Sequence, residues 1–355
     1  MAKVLIIGGG LAGLSCALNL LGQGHHVTVA EKQKGRLDKV CGEGILPFGV
    51  SLLKELGLAE KVAQVGFSFK GVTWAHGTRR IEGQFQSGSY GIGIDRAKLD
   101  EVFKTACSQY KDFSLQVGKR IQPGDEAGYD AVLGADGVYS SWGKATGKRV
   151  RFGKRLGLRF RIKAKPPPVV TVHFFRHLEV YFTPVNTQIT SVAFLVDAHH
   201  LKLRGGELKQ WVQAFFGQHF PQYAKHPITD LATRAPISSK ILGPAPSCIL
   251  LGDALCAFDP ISGAGMSFAL LCGKLAAQHL NEPTAYYRAL RPHRAALAGF
   301  TNAQLFFRGG GFKTRLMFRQ LALANCFNRI LSLHNGHHRL TDLPPKAAMS
   351  LLRPW

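Results

Sequence analysis

The stretch Gly8-Gly9-Gly10-Leu11-Ala12-Gly13 constrains this chain more than any other feature. It follows an apolar strand candidate, Lys3 to Ile7, and opens a helical run of about Leu11 to Leu21. A second strand, Val27 to Glu31, ends in an acidic residue 23 positions after Gly8. In such a strand–turn–helix–strand unit Gly8 permits the tight turn, Gly10 lets backbone amides approach a pyrophosphate, and Gly13 lets the helix lie close to the strand. The amides of Leu11, Ala12 and Gly13 at the helix start favour negative charge. The Glu31 carboxylate is placed to accept the hydroxyls of an adenosine ribose. The unit therefore predicts dinucleotide binding.

Length and composition bound the rest. The chain has 355 residues, 46% of them apolar, with 40 glycines, which is a globular composition long enough for roughly two domains. No apolar run reaches the ~18 residues of a spanning helix, and the glycine-broken N-terminus does not read as a signal peptide. Seven scattered cysteines without a CxxC pair argue against a disulfide scaffold or zinc site and for a reducing compartment. The expected location is the cytoplasm, with peripheral membrane association.

Along the chain, Gly71 to Gln86 reads as a β-hairpin turning near Gly77, and Asp95 to Tyr110 has helical spacing. Leu156 to Val196 alternates like an antiparallel sheet, Cys248 to Leu251 is a short buried strand, and Met266 to His279 is a helix. From Pro292 the tail is helical, apolar and basic. The fold class expected is α/β with α+β insertions: a Rossmann-type domain carrying an inserted, mostly antiparallel β substrate domain and a helical C-terminal tail. The expected boundaries are 1–65, 90–155 and 235–300 for the nucleotide domain, 66–89 and 156–234 for the substrate domain, and 301–355 for the tail.

Two further motifs specify the dinucleotide. Asp136-Gly137 follows the strand candidate Ala131 to Leu133, and Gly252-Asp253 leads to Asp259-Pro260-Ile261-Ser262-Gly263-Ala264-Gly265-Met266. With the glycine turn and Arg96, these resemble, in order and separation, the flavoprotein superfamily with the p-hydroxybenzoate hydroxylase fold. That superfamily includes single-component aromatic hydroxylases, flavin halogenases and geranylgeranyl reductases. The resemblance covers about residues 3 to 280 and implies FAD, with NAD(P)H as a transient reductant. It implies that Asp253 bonds the ribityl chain, and that Gly263, Gly265 and Met266 present amides to the flavin N1 and C2 carbonyl. Asp136 and Gly137 would approach the pyrophosphate, and Arg96 would neutralise part of its charge. Cys41, in Cys41-Gly42-Glu43-Gly44, resembles the cysteine-glycine pair of the reductase branch near the isoalloxazine. Tyr181-Phe182-Thr183-Pro184 falls where geranylgeranyl reductases carry YxWxFP, but lacks the tryptophan. No tryptophan pair two apart supports halogenation. The substrate-pocket candidates are Cys41, Gly44, Tyr181, Thr183 and Pro260; no general base is identifiable.

The resemblance implies an FAD-dependent monooxygenase that hydroxylates or epoxidises a small lipophilic or aromatic substrate through a flavin C4a-hydroperoxide. The alternatives are a flavin reductase or dehydrogenase of a prenyl- or lipid-like carbon–carbon bond, and a non-catalytic FAD protein. Charge suggests further partners. The formal net charge is +23, and residues 144 to 165 hold ten cations and no acid. From Arg159 these cations alternate with Phe160, Ile162 and Ala164, so one strand face is cationic, which reads as a solvated sheet face. Residues 281 to 355 add eleven cations against Glu282 and Asp342. Leu316, Leu323, Phe327 and Ile330 share a helical face there, the pattern of an interfacial segment. An anionic membrane surface or an acidic carrier protein is the expected docking partner; nucleic acid is not, for no recognition motif accompanies the charge. The pairs His25-His26, His199-His200 and His337-His338 read as solvated loop residues, and no metal is expected.

Overall fold

The computed structural model describes residues 1–334 except 36–38, 123, 143–147, 153–154, 201–206, 235–237, 243–248, 309–310 and 323–325. Lys144, Lys154, Cys248, Leu323, His337, His338, Arg339, Lys346 and Arg353 therefore lie outside the described residues.

Strand β1 (Lys3–Ile7) is apolar on both faces because it sits inside a five-stranded parallel sheet. Its neighbours are β2 (His26–Glu31) and β9 (Ala131–Gly134), flanked in turn by β8 (Phe113–Val117) and β17 (Ile249–Leu250). Helix α1 (Leu11–Gly22) lies against this sheet with α4 (Arg96–Cys107) and α6 (Gly265–Gln278). The crossing of α1 and α6 is close because Gly273 has no side chain: a Cβ there would stand 2.7 Å from the Cys16 amide nitrogen. Between these elements, α2 (Pro47–Glu55) and α3 (Ala59–Val65) accompany a small sheet of β3 (Gly44–Ile45), β7 (Gly91–Gly93) and β4 (Phe67–Phe69).

The second large sheet has seven strands: β15 (Thr229–Arg234), β11 (Arg155–Ile162), β14 (Thr190–Asp197), β13 (Leu178–Pro184), β12 (Val170–Phe175), β5 (Gly71–His76) and β6 (Arg79–Gln84). It is antiparallel except where β12 runs parallel to β5. Gly77 makes the β5–β6 turn with φ +58°. One face, bearing Leu158, Phe160, Val180 and Phe194, is covered by α5 (Glu207–His219) through Val212 and Phe216. A second small sheet, β10 (Lys148–Phe152), β16 (Ser238–Leu242) and β18 (Cys256–Ala257), links the chain entering and leaving this region.

Two expectations about charge and amphipathicity are corrected. The cationic face is solvated only at its end: Lys163 and Lys165 are exposed, but Arg155, Arg159 and Arg161 on β11 are buried, Arg159 with 0% exposure. The tail does not present one apolar helical face to the outside. A helix already begins at Pro283 and runs through Pro292 as α7 (Pro283–Phe307); Arg288, whose carbonyl Pro292 cannot serve with an N–H, is exposed, as are Arg291, Pro292 and His293. Two separate helices follow, α8 (Gly311–Ala322) and α9 (Cys326–His334). Met317, Phe318, Leu321, Phe327 and Leu331 are buried against Trp74, Phe174 and Phe85, with Trp74 and Phe327 ring centroids 4.9 Å apart. Among the tail aromatics, Phe312 is exposed, at 78%. No helix among the described residues is long and apolar enough to cross a membrane.

Candidate active site

The glycine turn is shaped by contacts that only glycine allows. Gly8 has φ +115°, and a Cβ there would stand 2.4 Å from the Ala135 carbonyl oxygen; one on Gly13 would stand 2.0 Å from the Gly8 oxygen. A Cβ on Gly10 or Gly137 would meet nothing within 4 Å, which leaves an open cradle between the two turns. Helices α1 and α6 both begin without a side-chain cap or an acidic residue in the first turn, so their amides are free to take an anion. Glu31 closes one end: its Oε2 accepts the Gly9 amide and its Oε1 the Gln33 amide, each at 2.8 Å. Asp136 accepts the Ser141 amide at 2.9 Å through Oδ2, while its buried Oδ1 has no hydrogen-bond partner. At the other end Asp253 is ion-paired with Lys39, and Arg149 donates to the backbone oxygen of Ala254. An uncapped pair of helix starts, a buried carboxylate at the end of β2 and an orphaned buried oxygen are features that an FAD pyrophosphate and its sugars fit.

Arg96 is buried at the start of α4 and donates to Asp100 Oδ1 at 2.6 Å. Burial pushes the Asp100 carboxyl up despite the pull of Arg96. The Arg96 amide also reaches Glu43 Oε1 at 3.4 Å. Arg96 thus belongs, in this structure, to a cluster around the Cys41–Gly44 loop. Glu43 is its centre: it has 0% exposure, sits at φ +55°, and its Oε2 lacks a partner. Burial and then the Glu43 charge push the Cys41 thiol up, so it is held as the neutral thiol.

The buried arginines of β11 explain how this loop is held. Arg161 pairs with Glu43, with Asp95 at 3.0 Å and with Asp230 at 3.2 Å. Asp95 is also the N-cap of α4, accepting the Ala97 amide at 2.8 Å. At the opposite end Arg155 pairs with Asp259 at 2.6 Å and with Glu179. Asp259 caps the short 3-10 turn at Pro260 by accepting the Ile261 amide at 3.0 Å. One strand thereby grips two N-caps of the nucleotide-binding half. The sequence showed the arginines, but their partners lie far along the chain and left no local signal.

The pocket candidates converge. Tyr181, Thr183 and Glu179 share a face of β13, and the row Arg159, Ala193, Tyr181, Val172 and Trp74 crosses five strands by register. A Cβ on Gly44 would lie 3.7 Å from Thr183 Cγ2. Ile261, beside Pro260, packs in one cluster with Leu46 and Tyr181. The Tyr181 hydroxyl is buried without a hydrogen-bond partner, and burial pushes its ionisation up. The result is a mixed wall, Val172 and Trp74 beside Thr183, Glu179 and Arg159, that holds the unsatisfied hydroxyls of Tyr181 and Ser191, next to a loop holding a thiol and a buried carboxylate.

Comparison with known proteins agrees with this geometry. Residues 1–135 match the FAD binding domain family. The menaquinone reductase of Mycobacterium tuberculosis (strain H37Rv) is 24% identical over 319 residues, spanning 79% of this chain and 76% of that protein. Among solved structures, the flavin-dependent brominase Bmp2 superposes with TM-score 0.79 at 18% identity, covering 99% of this chain and 97% of that one. The p-nitrophenol 4-monooxygenase PnpA of Pseudomonas putida superposes with TM-score 0.75 at 16% identity, covering 96% and 100%. The fold is that of the p-hydroxybenzoate hydroxylase-type flavoproteins, and FAD is the cofactor of its N-terminal domain.

Proposed function

We propose that this FAD-dependent oxidoreductase is an NAD(P)H-dependent monooxygenase of a lipophilic aromatic molecule. The observation carrying the reading is the buried Tyr181 hydroxyl, without a hydrogen-bond partner, on a face of β12–β14 where Val172, Phe174 and Ile261 pack above the Asp259–Gly263 turn. A flat apolar substrate with one phenol or carbonyl oxygen satisfies that hydroxyl, and a water-poor wall protects oxygen chemistry from side reactions. Bound FAD supplies that chemistry when reduced. In this reading Gly8, Gly10, Leu11, Ala12, Gly13 and Glu31 hold the adenosine diphosphate half, with Asp136, Gly137 and Arg96 beside the pyrophosphate. Asp253, Gly263, Gly265 and Met266 hold the ribityl–flavin half. Asp253 then exchanges Lys39 for the cofactor.

A second reading, a reductase, is favoured by one observation: the Cys41 thiol, kept protonated by burial and the Glu43 charge, sits in the loop whose Gly44 lies against Thr183 of the pocket wall. The resemblance to menaquinone reductase points the same way. Mixing the holoprotein with NADPH and following flavin bleaching separates the two. Oxygen uptake that rises stoichiometrically with a phenolic lipid supports the monooxygenase. Anaerobic reoxidation by a quinone or prenyl lipid, with no oxygen-dependent product, overturns it in favour of the reductase.

A further inference from the structure

The hairpin turn between β12 and β13 and the end of β14 bring together side chains that the sequence keeps apart. His177 occupies the turn at φ +66°, and its carbonyl accepts the Asp197 amide at 3.0 Å. His177 Nδ1 lies 3.3 Å from Asp197 Oδ2. His200, three residues after Asp197, stacks on His177 with centroids 3.7 Å apart. The ligand-capable atoms of His177, Asp197 and His200 all lie within 4.8 Å of one another. His200 is exposed and the other two are half-buried, so solvent reaches the cluster from one side.

We propose that His177, His200 and Asp197 form a binding site for a divalent transition-metal ion of the zinc, nickel or copper class. Two imidazoles and one carboxylate are a donor set of that class, with water completing the coordination. The two rings are stacked, 21° from parallel, so binding an ion requires them to turn out of the stack until their nitrogens face Asp197 Oδ2. The local charge also suits a cation. Asp197, Glu179 and Asp259 face Arg155 and Arg308 in one continuous ion-pair group, so the named charges leave an excess of one negative. Asp197 uses Oδ1 towards Arg308, which leaves Oδ2 on the histidine side. The site lies apart from the cofactor cradle yet joins it through residues already described, since Arg155 links Asp197 to the Asp259 cap.

The test uses tag-free, FAD-loaded protein, stripped by a chelator and titrated with Zn2+ against a chromophoric chelator. One site per chain is expected. His200→Ala, and His177→Asn, which keeps a residue tolerant of positive φ, should each weaken it by at least about tenfold. His25→Ala, on the parallel sheet's side of the molecule, should leave it unchanged. Co2+ added to the wild-type protein should give a visible d–d band that both cluster variants lose. Zn2+ affinity equal in wild type and His177→Asn/His200→Ala would overturn the proposal, as would a Co2+ band that persists in the double variant. Circular dichroism of the exposed-site variant His200→Ala shows whether the fold is kept, so loss of metal and loss of structure remain distinct.

Discussion

Both oxygens of Glu31 already accept backbone amides, so this side chain shapes the turn as well as offering acceptors to a ribose. Glu31→Ala should therefore weaken FAD retention by roughly 10- to 100-fold, the loss of charged hydrogen bonds worth about 1.5–3 kcal/mol. Flavin release on dilution measures it, and full flavin content in the variant would remove Glu31 from the cofactor site. Gly13→Ala should be harsher, because its methyl carbon would overlap the Gly8 carbonyl oxygen; the expected product is flavin-free protein. Cys41 gives a pH test. Its thiol is raised by burial first and by Glu43 second, so alkylation should be slow at neutral pH and accelerate above the usual thiol range. Glu43→Gln should move that profile to lower pH; an unmoved profile would remove the Glu43 charge as a cause.

At the scale of elements, β11 separates what the sequence discloses from what it hides. The first strand, the glycine turn, the hairpin at Gly77 and the helix from Arg96 were legible because each rests on a local requirement: a positive φ, an apolar period or a cap. The alternation of β11 was legible too, but its polar face was assigned to water. Its acids arrive from residues 43, 95, 179, 230 and 259, and only the folded sheet gathers them. Strand β8 went unnoticed for a related reason, its half-exposed FSLQV giving little apolar signal. The buried arginines carry a sharp prediction. Arg155→Met leaves Asp259 without its guanidinium and Glu179 with Arg308 alone, and removing one partner of a buried pair typically costs about 3–5 kcal/mol. Exposed Arg151→Ala should stay within about 0.5 kcal/mol. Urea midpoints for the two variants provide the check, and equal midpoints would show that Arg155 contributes little.

Across the whole molecule, acid should loosen the fold before it reaches the carboxylates. His173 lies on β12 between Phe182 and Phe220, and burial, aided by Arg80, lowers its pKa to about 4. The unfolded chain takes up that proton near 6.5, so the contribution of neutral His173 is complete above that value. It is lost as pH falls from 6.5 towards 4. His173→Phe should flatten the melting temperature across this window, and an unchanged slope would assign the acid sensitivity elsewhere. The face of β5 and β6 that carries Trp74 has its cover in α8 and α9, the last described helices of the chain. On the ribosome that hydrophobic sheet face must wait, uncovered, until residues 311–334 have emerged, more than 220 positions after β6. The β12 strand that pairs with β5 also comes only after four strands of the parallel sheet have been made, two of them between β5 and β12. Neither large sheet can close early, because β17 joins the parallel sheet after the seven-stranded one has supplied its last strand. Sheet closure in this protein waits on strands and helices distant in the chain, and a chaperone that shields aromatic surface during translation should raise its yield.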